Sequence, residues 1–87
     1  MNISVPLCVM NNYNQVFFTI KKYSLIDGML RGTHCFEVVS RDSGVSYSAL
    51  FPYLTNLQKL GLINYSFEEN FIELTEFGRI SEKIFAS

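Results

Sequence analysis

The sequence predicts a small α+β domain of three or four helices with one two-stranded β-hairpin. The first observation is an apolar stripe, Leu50, Leu54 and Leu57, at the spacing of one helix face. The second is a change to period-two alternation after Gly61, which indicates that a strand follows the helix. The third is a polar turn at residues 68–70, after which the alternation resumes and a last helix begins.

The central helix has predictable ends. Ser46 is a good N-cap residue, and Gly61 is typical of the position just after a helix. Pro52 removes a backbone donor and clashes one turn back if the helix starts at Tyr47. The expectation is therefore either a kinked helix or a regular part that begins near Pro52 after a tighter turn.

The hairpin and the last helix follow from local pattern. Ile63, Tyr65 and Phe67 alternate with polar residues, and the turn Glu68-Glu69-Asn70 ends in an asparagine that tolerates positive φ. The return strand carries Ile72 and Leu74. Thr75 is then expected to cap an amphipathic helix whose apolar residues are Phe77, Ile80 and Ile84.

The N-terminal residues are predicted to form an extended arm over residues 1–20. Ile3, Val5, Leu7 and Val9 alternate, and Pro6 argues against a long helix there. The run VFFTI at residues 16–20 fits either a strand or the first turn of a helix, because periodicity cannot decide so short a run. It is expected to serve as core or as a dimer contact.

Two short helices are predicted between this arm and the central helix. Tyr23, Ile26 and Leu30 indicate a first helix over residues 22–30, ended by Gly32. Thr33 is expected to cap a second helix over residues 34–41, with Cys35 and Val39 on its apolar face. Asp42-Ser43-Gly44 then forms the turn between the second and third helices.

The composition indicates one domain that pairs with a second copy. Eighty-seven residues suit a single domain, yet 48% are hydrophobic and eight are Phe and five Tyr. This is more apolar material than so small a core can hide, so a homodimer is expected. The formal net charge is −1, divided into +2 over residues 1–63 and −3 over residues 64–87. A nucleic acid would therefore meet the first part of the chain.

Several classes of protein are disfavoured. Two cysteines, Cys8 and Cys35, do not make a disulfide framework or a metal site, and no cofactor motif is present. No signal peptide or membrane-spanning stretch is apparent, so a cytoplasmic protein with no membrane partner is expected. His34 is the single histidine, and a lone histidine is more often structural than a metal ligand or a catalytic base. No nucleophile–base pair, paired carboxylates or Gly-rich phosphate loop is evident, so an enzyme is not expected.

Two motifs resemble the winged helix-turn-helix family. LTNLQKLGLI, at residues 54–63, resembles the end of a recognition helix that runs into the first wing strand. LTEFGR, at residues 74–79, is similar to the segment that closes the wing and opens the last helix in MarR-, PadR- and ArsR-like proteins. The resemblance covers Tyr23 to Phe85. It implies an α+β winged helix-turn-helix domain with a three-helix core, a two-stranded wing and a C-terminal helix, forming a body at residues 21–87.

The resemblance also implies that helix three binds double-stranded DNA. Asn56 and Thr55 would contact base edges, and Phe51 and Pro52 would contact thymine methyl groups. Hydroxyls and free backbone donors near the start of a helix suit phosphate oxygens, and Lys59 is the one basic residue of the outer face. The phosphate candidates are Ser46, Tyr47 and Ser48 on helix three and Thr33 and His34 on helix two. The alternative is that all of these form a solvated face.

Three functions remain open on the sequence. The first is a homodimeric, sequence-specific transcriptional regulator. The second is a TubR-like centromere-binding adaptor of a plasmid or phage partition system, which would bind repeated DNA sites and a filament-forming, tubulin-like GTPase. The third is a protein-interaction winged helix that does not bind DNA. The acidic wing tip, Glu68 and Glu69, would repel phosphate and favours the third, whereas the hydroxyl and amide groups of helix three favour DNA.

Overall fold

A computed structural model describes residues 7–27 and 30–82, and this part of the chain contains four helices and a three-stranded antiparallel sheet. The predicted α+β class is confirmed. The sheet has the strand order β1-β3-β2, so the last strand lies in the middle. The elements, in chain order, are α1 (Leu7–Asp27), β1 (Leu30–Arg31), α2 (Cys35–Ser43), α3 (Tyr47–Lys59), β2 (Ile63–Ser66), β3 (Phe71–Leu74) and α4 (Glu76–Ile80).

The predicted hairpin is confirmed. β2 and β3 pair antiparallel with Tyr65 opposite Ile72, and the turn between them occupies residues 67–70. Asn70 takes a φ of 55°, in the left-handed region that asparagine tolerates better than most residues. Ile72 and Leu74 are buried, as their alternation predicted.

The central helix α3 also has the predicted stripe and ends. Leu50, Leu54 and Leu57 are fully buried. Gly61, at φ 80°, donates its N–H to Gln58 O, and the next residue, Leu62, donates to Leu57 O; this pair of bonds is a Schellman motif. The helix starts at Tyr47 and continues through Pro52, with its first turn closed by a tighter bond from Ala49 N to Ser46 O.

The expected N-terminal arm is wrong for residues 7–20, which belong to the 21-residue helix α1. Residues 1–6 lie outside the described residues. The described residues are helical from Leu7 onward. Val16, Phe17 and Ile20 are fully buried, at a spacing that a helix and not a strand presents to one side. The run at residues 16–20 is therefore helical, with Val16, Phe17 and Ile20 in the core and Phe18 exposed.

The predicted first helix over residues 22–30 is wrong at its C-terminal end. α1 ends at Asp27, and Leu30–Arg31 forms the edge strand β1, in which Leu30 pairs with Ile72 of β3. Gly32, at φ 117°, follows a strand and not a helix, and its N–H donates to Asn70 O over 2.9 Å. The side chain of Ile26 lies outside the described part of the chain.

The turn between α2 and α3 occupies residues 44–46, two residues later than the predicted 42–44, and is held by serine hydroxyls. α2 runs to Ser43, and Gly44, at φ 79°, ends it. The Ser43 hydroxyl accepts from Val45 N over 3.3 Å, and Ser40 Oγ donates to Val45 O over 2.6 Å. The N-cap position of α2 is occupied by His34, whose side chain makes no capping hydrogen bond. The prediction that Thr33 caps α2 is therefore wrong.

The last helix is capped as predicted but presents a different surface. Thr75 Oγ1 accepts from Gly78 N over 2.9 Å. Phe77 and Ile80 are exposed, so the prediction that they form the inward face is wrong, and Gly78 is the buried residue. Ile84 lies outside the described residues. Within residues 7–27 and 30–82, no helix is long and apolar enough to cross a membrane.

Candidate nucleic-acid interface

The side of α3 opposite its buried leucines is open to solvent. Ser48, Pro52 and Lys59 are exposed there, and at 100° per residue they lie within a narrow arc of the helix circumference. Ser46, at the N-cap position, is also exposed and makes no side-chain capping bond. The hydroxyls and the first backbone donors of α3 therefore lie together at one end of this open side, where they suit an anionic group.

Two further residues predicted to contact DNA form hydrogen bonds within the fold. Thr55 is half-buried, and its hydroxyl lies 2.7 Å from Tyr65 Oη. Asn56 is exposed, but its Nδ2 donates to Tyr13 Oη on α1. The two tyrosine hydroxyls fix these side chains on opposite flanks of α3. Asn56 keeps its amide oxygen for other contacts, whereas the Thr55 hydroxyl is directed toward the hairpin.

The two aromatic residues predicted to contact DNA lie on the hairpin side of α3. Phe51 is half-buried, with its ring centroid 5.4 Å from that of Phe67 in the hairpin turn. Tyr47 packs edge-on against Phe51, with centroids 5.4 Å apart. Pro52, the next residue, lies about 100° around the helix on the open side. Of the two residues predicted to contact thymine methyl groups, only Pro52 therefore lies on the open side of α3.

Thr33 and His34, at the start of α2, are exposed at the mouth of a different cleft. This cleft has a volume of about 530 Å³ and lies between the end of α1, β1 and the start of α2. The His34 ring nitrogen Nδ1 lies 2.8 Å from Glu37 Oε1 in an exposed pair. Arg31 lines the same cleft, and its guanidinium lies 5.9 Å from the ring centroid of Phe71. This cleft is the second candidate site for an anion. The carboxylate of Glu37 offsets part of the positive charge that Arg31 brings to it.

Some of the basic side chains form hydrogen bonds within the fold. Lys21 Nζ donates to Ser81 O, and Arg41 Nε donates to Asp42 Oδ1 over 3.1 Å. Lys59 is the basic residue on the open side of α3. The hairpin turn presents exposed Glu68 and Glu69. An anion approaching α3 along the hairpin would meet negative charge, whereas one approaching the open side of the helix would not.

A small hydrogen-bond network in the last turn of α2 shifts the pKa values of three groups, and the bond to Asp42 raises the pKa of the Arg41 guanidinium. Tyr23 Oη donates to Asp42 Oδ2, and this hydrogen bond, together with the bond from Arg41, lowers the pKa of the Asp42 carboxyl. The same bond raises the pKa of the Tyr23 hydroxyl, because it favours the protonated phenol. These bonds connect α1 to the end of α2.

The cysteines differ in accessibility. Cys35 is buried on α2, and desolvation raises the pKa of its thiol, which disfavours the reactive thiolate. Cys8 is exposed near the start of α1. Among residues 7–27 and 30–82, no three His, Cys, Asp or Glu side chains are grouped closely enough to hold a metal ion.

Two tyrosines that the sequence pattern does not indicate organise this region. Tyr13 and Tyr65 orient Asn56 and Thr55, and Tyr13 also packs edge-on against Tyr53, with ring centroids 4.6 Å apart. The available signal was the large number of aromatic residues, which had been attributed to a dimer surface. Their placement depends on contacts 10 to 43 residues apart in the chain, which local periodicity does not reveal.

No family model matches the chain, and no curated protein or solved structure matches it significantly. The assignment of function therefore depends on the geometry of the chain itself.

Proposed function

We propose that this protein is a winged-helix DNA-binding protein that reads double-stranded DNA with α3, as a homodimer. The observation that supports the proposal is that α3 is buried on one side and exposed on the other. Three buried leucines, Leu50, Leu54 and Leu57, hold one side of the helix in the core, while the opposite side is exposed along its length. An α-helix presented in this way fits the major groove of B-DNA, which is about 12 Å wide.

The order of elements supports the same reading. A short turn joins α2 to α3, a two-stranded hairpin follows, and α4 closes the domain, which is compatible with a winged helix. The revised contact set is Ser46, Ser48, Pro52, Asn56 and Lys59. The hydroxyls would bind phosphate, Pro52 would meet a thymine methyl, and the free amide oxygen of Asn56 would accept from a base.

A homodimer is proposed on the exposed side of α1. Leu7, Phe18 and Leu25 are exposed and lie within about 20° of one another around the helix, at 100° per residue. The three side chains span about 27 Å of the helix at 1.5 Å per residue, and Asn11 and Asn14 lie on the same face between Leu7 and Phe18. Exposed apolar side chains grouped on one face of a small domain are typical of an interface. Replacing Phe18 and Leu25 by Ser should shift a sedimenting dimer toward monomer, and an unchanged sedimentation coefficient would contradict this interface.

The test of DNA binding uses the duplex immediately upstream of the gene, titrated by fluorescence anisotropy at two salt concentrations. Lys59→Ala should weaken binding and reduce the salt dependence, because each phosphate contact contributes about 0.9 to the log–log slope. Ser48→Ala should weaken binding by about 1.5–3 kcal/mol, because it removes a hydrogen bond to a charged phosphate. Arg79→Ala, which removes an exposed basic residue of α4, is the matched control and should leave binding unchanged.

Two outcomes would refute the proposal. One is the absence of binding to duplex DNA even at low salt. The other is an equal loss of affinity in the Arg79 and Lys59 variants, which would indicate nonspecific attraction to positive charge. Substituting Glu68 and Glu69 by Gln should leave the affinity unchanged or raise it, because these carboxylates repel phosphate.

A further inference from the structure

Aromatic side chains from α2, α3 and the hairpin form one continuous cluster that reaches the surface. Phe36 is buried at its centre, with ring centroids 5.4 Å from Phe51 and 5.6 Å from Phe67. Tyr65 packs edge-on against Phe36, and Tyr47 against Phe51. Exposure increases across the cluster, from the buried ring of Phe36 to the rings of Tyr47 and Phe67, which lie largely at the surface.

The exposed end of this cluster contains a cleft lined by Phe51 and Phe67, which we call the aromatic cleft. Its volume is about 260 Å³. This is below the range of about 300–1,000 Å³ typical of small-molecule pockets, and it suits a single apolar side chain better than a cofactor. Phe67 occupies the first position of a turn, where polar residues are usual, and so exposes a ring that local structure does not require.

The charge beside the cleft specifies the occupant. Glu68 and Glu69 follow Phe67 directly, and both are exposed at the tip of the hairpin. Negative charge at this position repels nucleic-acid phosphates and anionic lipid headgroups, and attracts lysine and arginine. We propose that the aromatic cleft is a docking site for a partner protein segment with one apolar anchor side chain next to basic residues.

This site is distinct from the open side of α3. Phe51 lies about 60° around the helix axis from Ser48 and about 80° from Lys59, at 100° per residue. Its ring faces the hairpin, whereas Ser48 and Lys59 face solvent. The docking site therefore goes beyond DNA binding and does not depend on it. A partner segment at the cleft would leave the open side of α3 uncovered.

The test exploits the absence of tryptophan from the chain. The probe is a blocked peptide, Lys-Lys-Trp-Lys-Lys, whose indole fluorescence reports only on the peptide. Titration with the protein should give a saturable blue shift and a rise in anisotropy. The matched acidic peptide, Glu-Glu-Trp-Glu-Glu, should bind at least about tenfold more weakly, because its charges oppose those of the turn.

Substitutions test whether the peptide binds at the aromatic cleft. Phe67→Ser should weaken binding of the basic peptide by about tenfold or more, as expected for an aromatic anchor of a small interface. Phe77→Ser is the matched control, since Phe77 is 55% exposed on α4 and Phe67 is 56% exposed. Replacing Glu68 and Glu69 by Gln should weaken binding by about twofold to fivefold, the range of exposed charge pairs. Circular dichroism checks that each variant remains folded.

Four results would overturn the proposal. The first is no saturable binding of the basic peptide, and the second is equal binding of the basic and acidic peptides. The third is a change in sedimentation caused by Phe67→Ser, which would assign the cleft to a second copy of this chain. The fourth is Phe67-dependent binding of a deoxythymidine decamer without binding of the peptide, which would assign the ring to base stacking. Duplex binding should be unchanged in the Phe67 variant, so failure of the DNA proposal and of this one can be distinguished.

Discussion

Gly78 is the position where a single methyl group should be most damaging. It lies in α4, in the LTEFGR segment, and is buried. A Cβ atom there would lie 2.1 Å from Leu62 O and 3.0 Å from Leu74 Cδ1. Ordinary contacts begin near 3.4 Å, so the alanine side chain would have to move more than 1 Å away from a backbone oxygen.

Two opposing effects decide the sign of Gly78→Ala. Alanine is favoured over glycine in a helix by about 1 kcal/mol. Against this, overpacking a rigid site costs about 1–3 kcal/mol. The shift would also disturb the bond from Thr75 N to Leu62 O, at 3.0 Å, and the capping bond from Gly78 N to Thr75 Oγ1. Each such bond contributes about 1 kcal/mol. The net expectation is a destabilisation of about 1–3 kcal/mol.

Thermal and urea unfolding, followed by circular dichroism, measure this effect. In a domain of this size, a loss of 1 kcal/mol lowers Tm by about 4–8 °C, so the fall should be on the order of 5–20 °C. Arg79→Ala is the control, because Arg79 is exposed and its pair with Glu76, at 3.6 Å, contributes at most about 1 kcal/mol. A Gly78→Ala protein as stable as the parent, or more stable, would refute the steric argument.

Two further variants test α3 and the α1–α2 connection. Pro52→Ala restores a donor for Ser48 O inside α3 and should raise the unfolding free energy by about 1–2 kcal/mol, measured by urea unfolding; no gain would show that the helix already accommodates the proline. Asp42→Asn removes a carboxylate whose pKa is lowered by Tyr23 and then by Arg41. The Asp42 carboxylate stabilises the folded state at pH values above its unfolded pKa, near 3.9, and this stabilisation is lost as pH falls through the lower folded pKa. The difference in unfolding free energy between the parent and Asp42→Asn should therefore shrink below about pH 4. A difference that is constant across this range would contradict the sign.

The resembling motifs have a structural explanation in this chain. In LTEFGR, Thr75 caps α4, and Gly78 allows the helix to approach the backbone of Leu62. In LTNLQKLGLI, Leu54 and Leu57 are core residues and Gly61 ends α3. These positions are therefore constrained by packing and backbone conformation. They predict how α3 and the hairpin are joined, but they do not by themselves specify what the open side of α3 binds.

The segment from α3 to the cap of α4 could be predicted from the sequence because its determinants are local. A leucine stripe, a glycine with positive φ, an asparagine in a turn and a threonine cap each act within a few residues. The chemistry of Gly61, Asn70 and Thr75 is the same whatever surrounds them. The open side of α3 followed directly from the placement of its buried leucines on the opposite side.

Contacts between distant residues decided the rest. β1 is a two-residue strand whose only basis is pairing with β3, where Leu30 meets Ile72, so no periodicity within residues 28–32 could indicate it. The long helix α1 is specified by packing of Val16, Phe17 and Ile20 against the other elements, which overrode the alternation near its start. Likewise, Tyr65 and Tyr13 direct Thr55 and Asn56, and Phe67 draws Phe51 toward the hairpin. The sequence specified which side of α3 is open, but only tertiary packing determined which polar and aromatic groups remain there.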